Sequence, residues 1–356
     1  MNMPGMADII DDRKIKKILV IQFRPFGDVL LATGYLEALK KRFPGAAIEF
    51  LVKKPFHEIL HRNPFISKVI AIEPSSGMRY LIDRLGLFRD IRKQCYDLIV
   101  DQQNGTGSGQ VVLFSKAAYR LGWADSKWRW LYNLKAKQGP VRYRSAQNFD
   151  MLQPLGIGES PHRLYYHVEP ESMAHAKAWL EHRGISLDRF IVISPGSPRE
   201  KKKWLAENFS TLADKLVTAT KMQVVLLCGP KEYGDARAVL ALSRHTRHLA
   251  LSVDFNHAAA FLKHCRLLIC NDGGLNHLSV ALGVPSLAIF GNTPPEKWSP
   301  QGWFPYHYHL HHADRGARSG NHFGITPEEA CQRVLSILDE LPPSNTFNSA
   351  CTFSKT

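Results

Sequence analysis

Eight short apolar runs, each closed by a turn and several of them followed by a helical pattern, set the tightest limit on what this chain can fold into. They are KILVIQF (17–23), AIEFLV (47–52), KVIAI (68–72), YDLIVDQQ (96–103), RFIVISPG (189–196), MQVVLLCG (222–229), RLLICND (266–272) and SLAIFGN (286–292). Most are apolar along their whole length instead of alternating with polar residues. A strand of that kind is covered on both faces, and helices on both sides of a parallel sheet supply the cover. Helical patterns occur where this requires them, at VLLATGYLEALKKRF (29–43), SMAHAKAWLEHRG (172–184), AENFSTLADKLVTAT (206–220) and HAAAFLKHC (257–265). The fold class is therefore α/β.

The rhythm blurs between about 123 and 188, where WADSKWRWLYNLKAKQGPVRYRS is basic, aromatic and turn-rich, and a new strand–helix series starts near Phe190. A chain of 356 residues can bury two cores. The expectation is two βα domains facing across a cleft. A first domain over 14–170 follows a flexible N-terminus (1–13), and 171–187 is a linker region. The second domain spans 188–341 and ends on the helix TPEEACQRVLSILDEL (326–341), whose Thr-Pro start and early glutamates form a strong N-terminal signal. The tail PPSNTFNSACTFSKT lacks a core pattern, so 342–356 is expected to be disordered. The six cysteines include no C-x-x-C pair, which fits reduced thiols in the cytoplasm. The N-terminal stretch lacks the apolar core of a signal peptide and no run reaches the length of a membrane span, so the protein is expected to be cytoplasmic.

The charge is lopsided. Residues 1–150 carry 25 Lys and Arg against 14 Asp and Glu, while the remainder carries 21 against 18. The first half is thus expected to meet something anionic: nucleic acid, a membrane surface or an acidic glycolipid. Cationic clusters stand at Lys53-Lys54, Arg92-Lys93, Lys127-Arg129 and Lys135–Arg144.

In LLICNDGGLNHLSVALGVPSLAIFGNT (267–293) a strand ends in Asn-Asp-Gly-Gly and a helix follows. Gly273 and Gly274 allow close approach and expose amide N–H groups, which with the helix dipole make a seat for phosphate. A capped helix with a glycine turn is the plainer alternative. A second strand ends in a glycine and a hydroxyl, Gly291 and Thr293. Ligands of open α/β sheets sit at that carboxyl edge. No G-x-G-x-x-G is present, which disfavours a Rossmann dinucleotide site. In SPGSPREKKKWLAENFSTLADKL (194–216), Gly196 and Ser197 close another strand, and the lysines before Trp204 could reach a diphosphate.

Three stretches, ILVIQFRPFGDVLLATGYLEALKKRFPGA, SPGSPREKKKWLAENFSTLADKL and NDGGLNHLSVALGVPSLAIFGNTPPEKWSP, with the weaker YDLIVDQQNGTGSG, resemble the heptosyltransferase-type glycosyltransferases. The resemblance runs from about residue 16 to 340. It implies the GT-B fold, two Rossmann-like domains facing across a cleft. It also implies inverting transfer of a sugar from a nucleotide-sugar, ADP-heptose, in lipopolysaccharide core synthesis, without a bound metal or other cofactor. By the same resemblance Asp28 falls on the catalytic base and Lys202 on the lysine that contacts the donor phosphate. Asp272, Gly274 and His277 fall on the Asp-x-Gly-x-x-His of the donor site, and Gly291 and Thr293 on its Phe-Gly-x-Thr turn. Gly273 stands where a Ser or Thr is usual and Asn292 where a proline or serine is frequent. Lys231 lies near a ribose-binding glutamate position, with Glu232 one place further on.

Asp28 follows Gly27 at a strand-to-helix junction, where an aspartate can simply cap the helix. A single-displacement glycosyl transfer needs one base near the acceptor hydroxyl, and no protein acid if cations and amides hold the departing diphosphate. That chemistry assigns Asp28 as the base. The implied partners are the nucleotide-sugar, an anionic glycolipid acceptor and the inner face of the cytoplasmic membrane, as a peripheral protein, and not nucleic acid. Two alternatives stay open: a GT-B enzyme using another sugar or a protein or natural-product acceptor, and a non-catalytic module that docks on anionic surfaces. The histidines of HYHLHHADRGARSGNHFG (307–324) read as a cleft-rim loop before a metal site, since no carboxylate or cysteine set completes them. The segment WADSKWRWLYNLK reads as a packed or membrane-facing loop before a base-stacking one.

Overall fold

A computed structural model describes residues 10–160, 162–252, 254–313 and 323–343. The chain divides into two compact units after His167.

In the first unit, β1 (Lys17–Ile21), α1 (Phe26–Ala32), α2 (Leu36–Arg42), β2 (Ala47–Lys53), β3 (Lys68–Ile72) and α3 (Gly77–Lys93) follow one another. They are succeeded by β4 (Leu98–Asp101), α4 (Thr106–Ser115), β5 (Tyr119–Trp123), β6 (Leu134–Ala136) and the short α5 (Arg144–Gln147). The strands form a parallel sheet in the order β3-β2-β1-β4-β5-β6. Ile18, Leu19, Val20 and Ile21 are all fully buried, as expected for a central strand with helices on both faces.

The second unit opens with α6 (Pro170–Glu181) and continues through β7 (Phe190–Ser194), α7 (Ala206–Thr220), β8 (Gln223–Cys228), α8 (Tyr233–Leu242) and β9 (His248–Leu251). Then come α9 (Phe255–His264), β10 (Leu267–Asn271), α10 (Gly274–Leu282), β11 (Ser286–Ile289), α11 (Pro295–Trp298), β12 (His307–Leu310) and the helix Pro327–Glu340. Thr326 Oγ1 accepts from the Glu329 N–H at 3.1 Å to start that helix, as the Thr-Pro-Glu-Glu sequence predicts. The parallel sheet has the order β12-β11-β10-β7-β8-β9. Counted within its own unit, this is the same winding as in the first sheet.

Each sheet reverses direction of growth once, between β1 and β4 and between β7 and β10. At such a point the loops leaving the two central strands diverge to opposite faces and open a crevice at the carboxyl edge. The exits of β1, β7, β10 and β11 carry the sequence motifs.

All eight apolar runs contain strands, and among the described residues four further strands lie outside them: β5, β6, β9 and β12. Three of these are sheet edges, which lack a neighbour on one side and need no continuous apolar run. The stretch 171–187, expected as a linker, is mostly α6, whose Trp179 meets Phe261 of α9 edge-to-face at 5.3 Å. The histidine-rich stretch begins not as a rim loop but as β12, with His307 buried; 314–322 lie outside the described residues. The basic aromatic segment is packed only in part, and its Trp130 is 65% exposed. Trp123 is buried and Trp128 lies over Gly109 of α4. Of the expected flexible N-terminus, Asp12 and Arg13 join a 3-10 turn and 1–9 lie outside the described residues, as do 344–356 of the expected disordered tail. Cys228, Cys265, Cys270 and Cys331 are buried free thiols, whereas Cys95 is exposed.

Candidate active site

In the first unit, Pro25 is the N-cap residue of α1, and the N–H groups of Asp28 and Val29 donate to its carbonyl at 3.0 and 3.3 Å. The helix therefore starts ahead of Asp28, which sits in its first turn and is not its cap. A capping carboxylate would spend an oxygen on a helix N–H; this one does not. Asp28 Oδ1 is shut off from solvent and has no hydrogen-bond donor among the described residues. Arg24 Nη1 stands 3.6 Å from it. Arg144 of α5, buried, also feels the Asp28 charge: burial pulls its guanidinium down from the ordinary arginine value, and the carboxylate partly offsets that. Asp28 is thus a half-buried carboxylate with two cations nearby and one oxygen, Oδ1, buried and unspent.

The surrounding loops are tied down by side-chain amides. Gln103 Oε1 accepts from the Phe23 N–H at 2.7 Å, joining the exits of β1 and β4. Asn148 donates to the Leu31 carbonyl at 3.1 Å and accepts from Gln102 at 2.9 Å, which fixes α1. At the end of β4, burial raises the Asp101 carboxyl to about 6, against hydrogen bonds from Tyr132 OH at 2.7 Å and from the Gln103 and Asn104 N–H groups.

The second unit gathers most of the motif residues at one edge. Lys202, on the 3-10 turn Glu200–Lys202, is ion-paired with Asp272 at the end of β10. Asp272 is 3% exposed, and a carboxylate so buried needs a charge partner. Asn271 holds the same corner, accepting from the Trp204 N–H at 3.0 Å and donating to the Pro195 carbonyl at 2.7 Å. One side chain thereby joins the exits of β7 and β10 to the loop that carries Lys202. His277, one turn into α10, is lowered to about 4 by burial, with Asp272 opposing and Lys202 reinforcing. Its imidazole is neutral at pH 7.

Gly273 is the N-cap of α10, and no side chain caps this helix. Its first N–H groups lack intrahelical partners, which is the arrangement that receives an anion. A Cβ at Gly273 would meet only the Asn271 carbonyl oxygen, at 3.8 Å, so a side chain fits there. At Gly196 a Cβ would run into Cβ and Cγ of Glu232. Here the absence of a side chain lets the exits of β7 and β8 close together. A Cβ at Gly291 would enter the Phe323 ring, so that glycine answers to packing. Ser197 is buried, with its Oγ accepting from the Arg199 N–H at 3.4 Å, and Thr293 is half-buried.

A family model described as glycosyltransferase family 9 (heptosyltransferase) matches residues 84–312. The chain belongs to glycosyltransferase family 9. Lipopolysaccharide heptosyltransferase 3 of Escherichia coli is 26% identical to it, covering 91% of this chain and 98% of the relative. Lipooligosaccharide heptosyltransferase 2 of Haemophilus ducreyi is 25% identical, covering 80% and 86%. Among solved structures, a glycosyl transferase family 9 protein from Veillonella parvula superposes with a TM-score of 0.83 at 21% identity over 92% of this chain and 98% of that one. E. coli ADP-heptose lps heptosyltransferase II gives 0.71 at 19% over 91% and 99%. These likenesses show the fold, the GT-B type of the heptosyltransferases.

This family 9 glycosyltransferase brings Lys202, Asp272 and His277 together and sets Gly196 against Glu232, all in its second unit, while Asp28 belongs to the first. Sequence reasoning missed Asn271 and Arg144. Asn271 had a signal, an amide beside the motif aspartate at a strand end. Arg144 had none, because it reads as one more charge in a basic cluster. The cationic clusters are also less free than they read: Lys54 pairs with Glu73, and Arg142 with Asp150 at 2.7 Å and Glu159 at 2.8 Å. Among the described residues no group of three or more His, Cys, Asp or Glu could hold a metal ion. His307 bonds Ser286 Oγ and His309 bonds Ser299 Oγ, each at 2.8 Å. No described helix is long and apolar enough to cross a membrane.

Proposed function

We propose that this glycosyltransferase moves heptose from ADP-heptose to the anionic inner core of lipopolysaccharide, with inversion and without a metal ion, as a peripheral protein on the cytoplasmic face of the inner membrane. The first unit receives the acceptor and the second holds the donor. The observation that carries the reading is Asp28 Oδ1, a buried carboxylate oxygen at the carboxyl edge of a central strand with no hydrogen bond among the described residues. The relatives' names support the sugar and the acceptor, and a solved E. coli heptosyltransferase WaaC carries ADP-2-deoxy-2-fluoro heptose.

In this mechanism an acceptor hydroxyl attacks the anomeric carbon and gives its proton to Asp28. The anomeric carbon–phosphate oxygen bond breaks and the electron pair leaves with ADP. Lys202 and the uncapped amides of α10 receive the charge that develops on the diphosphate. Asp272 holds Lys202 in place, Gly196, Ser197 and Glu232 line the nucleotide seat, and neutral His277 can donate or accept without adding charge. Gly291 and Thr293 complete the turn beside it.

The test is to incubate the purified chain with ADP-heptose and a heptose-free core glycolipid in EDTA and to follow the acceptor by mass spectrometry. A gain of one heptose, with inverted anomeric configuration by NMR, is the expected result. Transfer only from a UDP- or GDP-sugar, or only on adding Mn²⁺ or Mg²⁺, would overturn the donor or the metal-free step.

A further inference from the structure

In α3 of the first unit, Arg84, Phe88 and Ile91 lie on the packed side. Arg84 donates to the Gly107 carbonyl and to Gln110 of α4 at 2.7 and 2.8 Å, Phe88 stacks on Phe114 at 4.6 Å, and Ile91 is buried. A different stripe is left uncovered. Met78, Leu81, Ile82 and Leu85 are 73%, 54%, 64% and 66% exposed. Their spacing of three, four and seven residues puts them on one helix face. Four large apolar side chains in a continuous exposed stripe are a binding surface, unlike apolar residues scattered singly.

The stripe does not end in apolar residues. Arg89 and Arg92 follow Leu85 by four and seven positions, both exposed, and Lys93 stands beside them. The helix as a whole has five basic residues against two acidic ones. Apolar side chains that continue into cations match the acyl–headgroup boundary of an anionic bilayer, where the first enter and the second meet phosphate. The place in the fold agrees. β3 runs parallel to β1, so the chain leaves β3 for the exposed end of α3 at the sheet edge where it leaves β1 for Asp28.

We propose that the exposed face of α3 docks the enzyme on anionic lipid, bringing the base-bearing edge of the first unit to the bilayer surface. The proposal rests on the reading of the acceptor as a membrane-held glycolipid and names the surface that reaches it. Docking leaves α3 folded on α4, because the stripe that enters the lipid is not the one that packs.

The test is sedimentation of the full chain with vesicles of phosphatidylglycerol and phosphatidylcholine, and with phosphatidylcholine alone. The variants are Leu81→Ser/Ile82→Ser/Leu85→Ser and Arg89→Glu/Arg92→Glu. Wild type is expected to bind the anionic vesicles and to be released by salt. Each variant should bind at least about tenfold more weakly, with an unchanged Tm and unchanged transfer to a deacylated, water-soluble acceptor. Wild-type vesicle binding by both variants, or no binding by the wild type, overturns the proposal. So does a wild-type dimer that the triple-serine variant converts to monomer while vesicle binding persists, which would make the face a contact between two copies of the chain. Failure of heptose transfer in every variant and the wild type would count against the activity alone, since vesicle binding is read without it.

Discussion

Asp28→Asn separates a base from a structural carboxylate. The exchange keeps shape and volume but removes the proton acceptor. Its effect on stability has two parts. A first-turn carboxylate interacts favourably with the helix dipole by about 0.3–1 kcal/mol, and that is lost. Against it, Oδ1 is buried with no hydrogen-bond donor among the described residues, so the exchange breaks no hydrogen bond there, and Arg24 at 3.6 Å and Arg144 lose only a charge partner. The net should stay within about 1 kcal/mol, a shift of roughly 2–4 °C in the melting of a unit this size. Loss of a general base lowers turnover about 10²- to 10⁴-fold, or about 3–5 kcal/mol in the barrier. The assay is steady-state ADP release beside calorimetric titration of ADP. The variant should be slow, with ADP affinity unchanged. Near-normal turnover would falsify the assignment, because the proton would then be going elsewhere.

Lys202→Ala should weaken ADP binding far more than adenosine binding by calorimetry. It also strips Asp272 of its partner, a loss of roughly 3–5 kcal/mol for a buried pair broken on one side. Adding Asp272→Asn should recover stability without recovering ADP affinity. Gly273→Ser and Gly291→Ala should part company in chemical denaturation. The first finds open space at an N-cap and should be neutral or stabilising by a few tenths of a kcal/mol. The second drives a methyl into the Phe323 ring and should cost about 1–3 kcal/mol. Burial lowers His307 to about 3, below its unfolded value of about 6.5. The unfolded chain therefore binds the extra proton, and stability should fall as pH drops from about 6.5 toward 3. Urea midpoints at pH 7 and pH 5 should converge in His307→Gln relative to wild type, and an unchanged gap would remove His307 as a source of the acid sensitivity.

The sequence alone determined the α/β class, the eight strands in its apolar runs and the four motif-bearing turns, because each depends on residues close together in the chain. A strand covered on both faces is apolar throughout, and a glycine at a strand end marks a turn. Tertiary structure decided the rest. Edge strands such as β6 and β9 owe their existence to a neighbour's open hydrogen bonds and have no period of their own. Asp28 carries the same letter whether it caps a helix or lies one turn inside it. Only the fold shows that Pro25 takes the cap and leaves the carboxylate oxygen unspent. Gly273 and Gly291 are alike in the sequence, yet one faces open space and the other a phenylalanine ring 32 positions along. Arg144 looks like a surface charge until burial brings it under the field of Asp28. In each case the deciding interaction joins residues far apart in the chain, and local pattern carries no record of it.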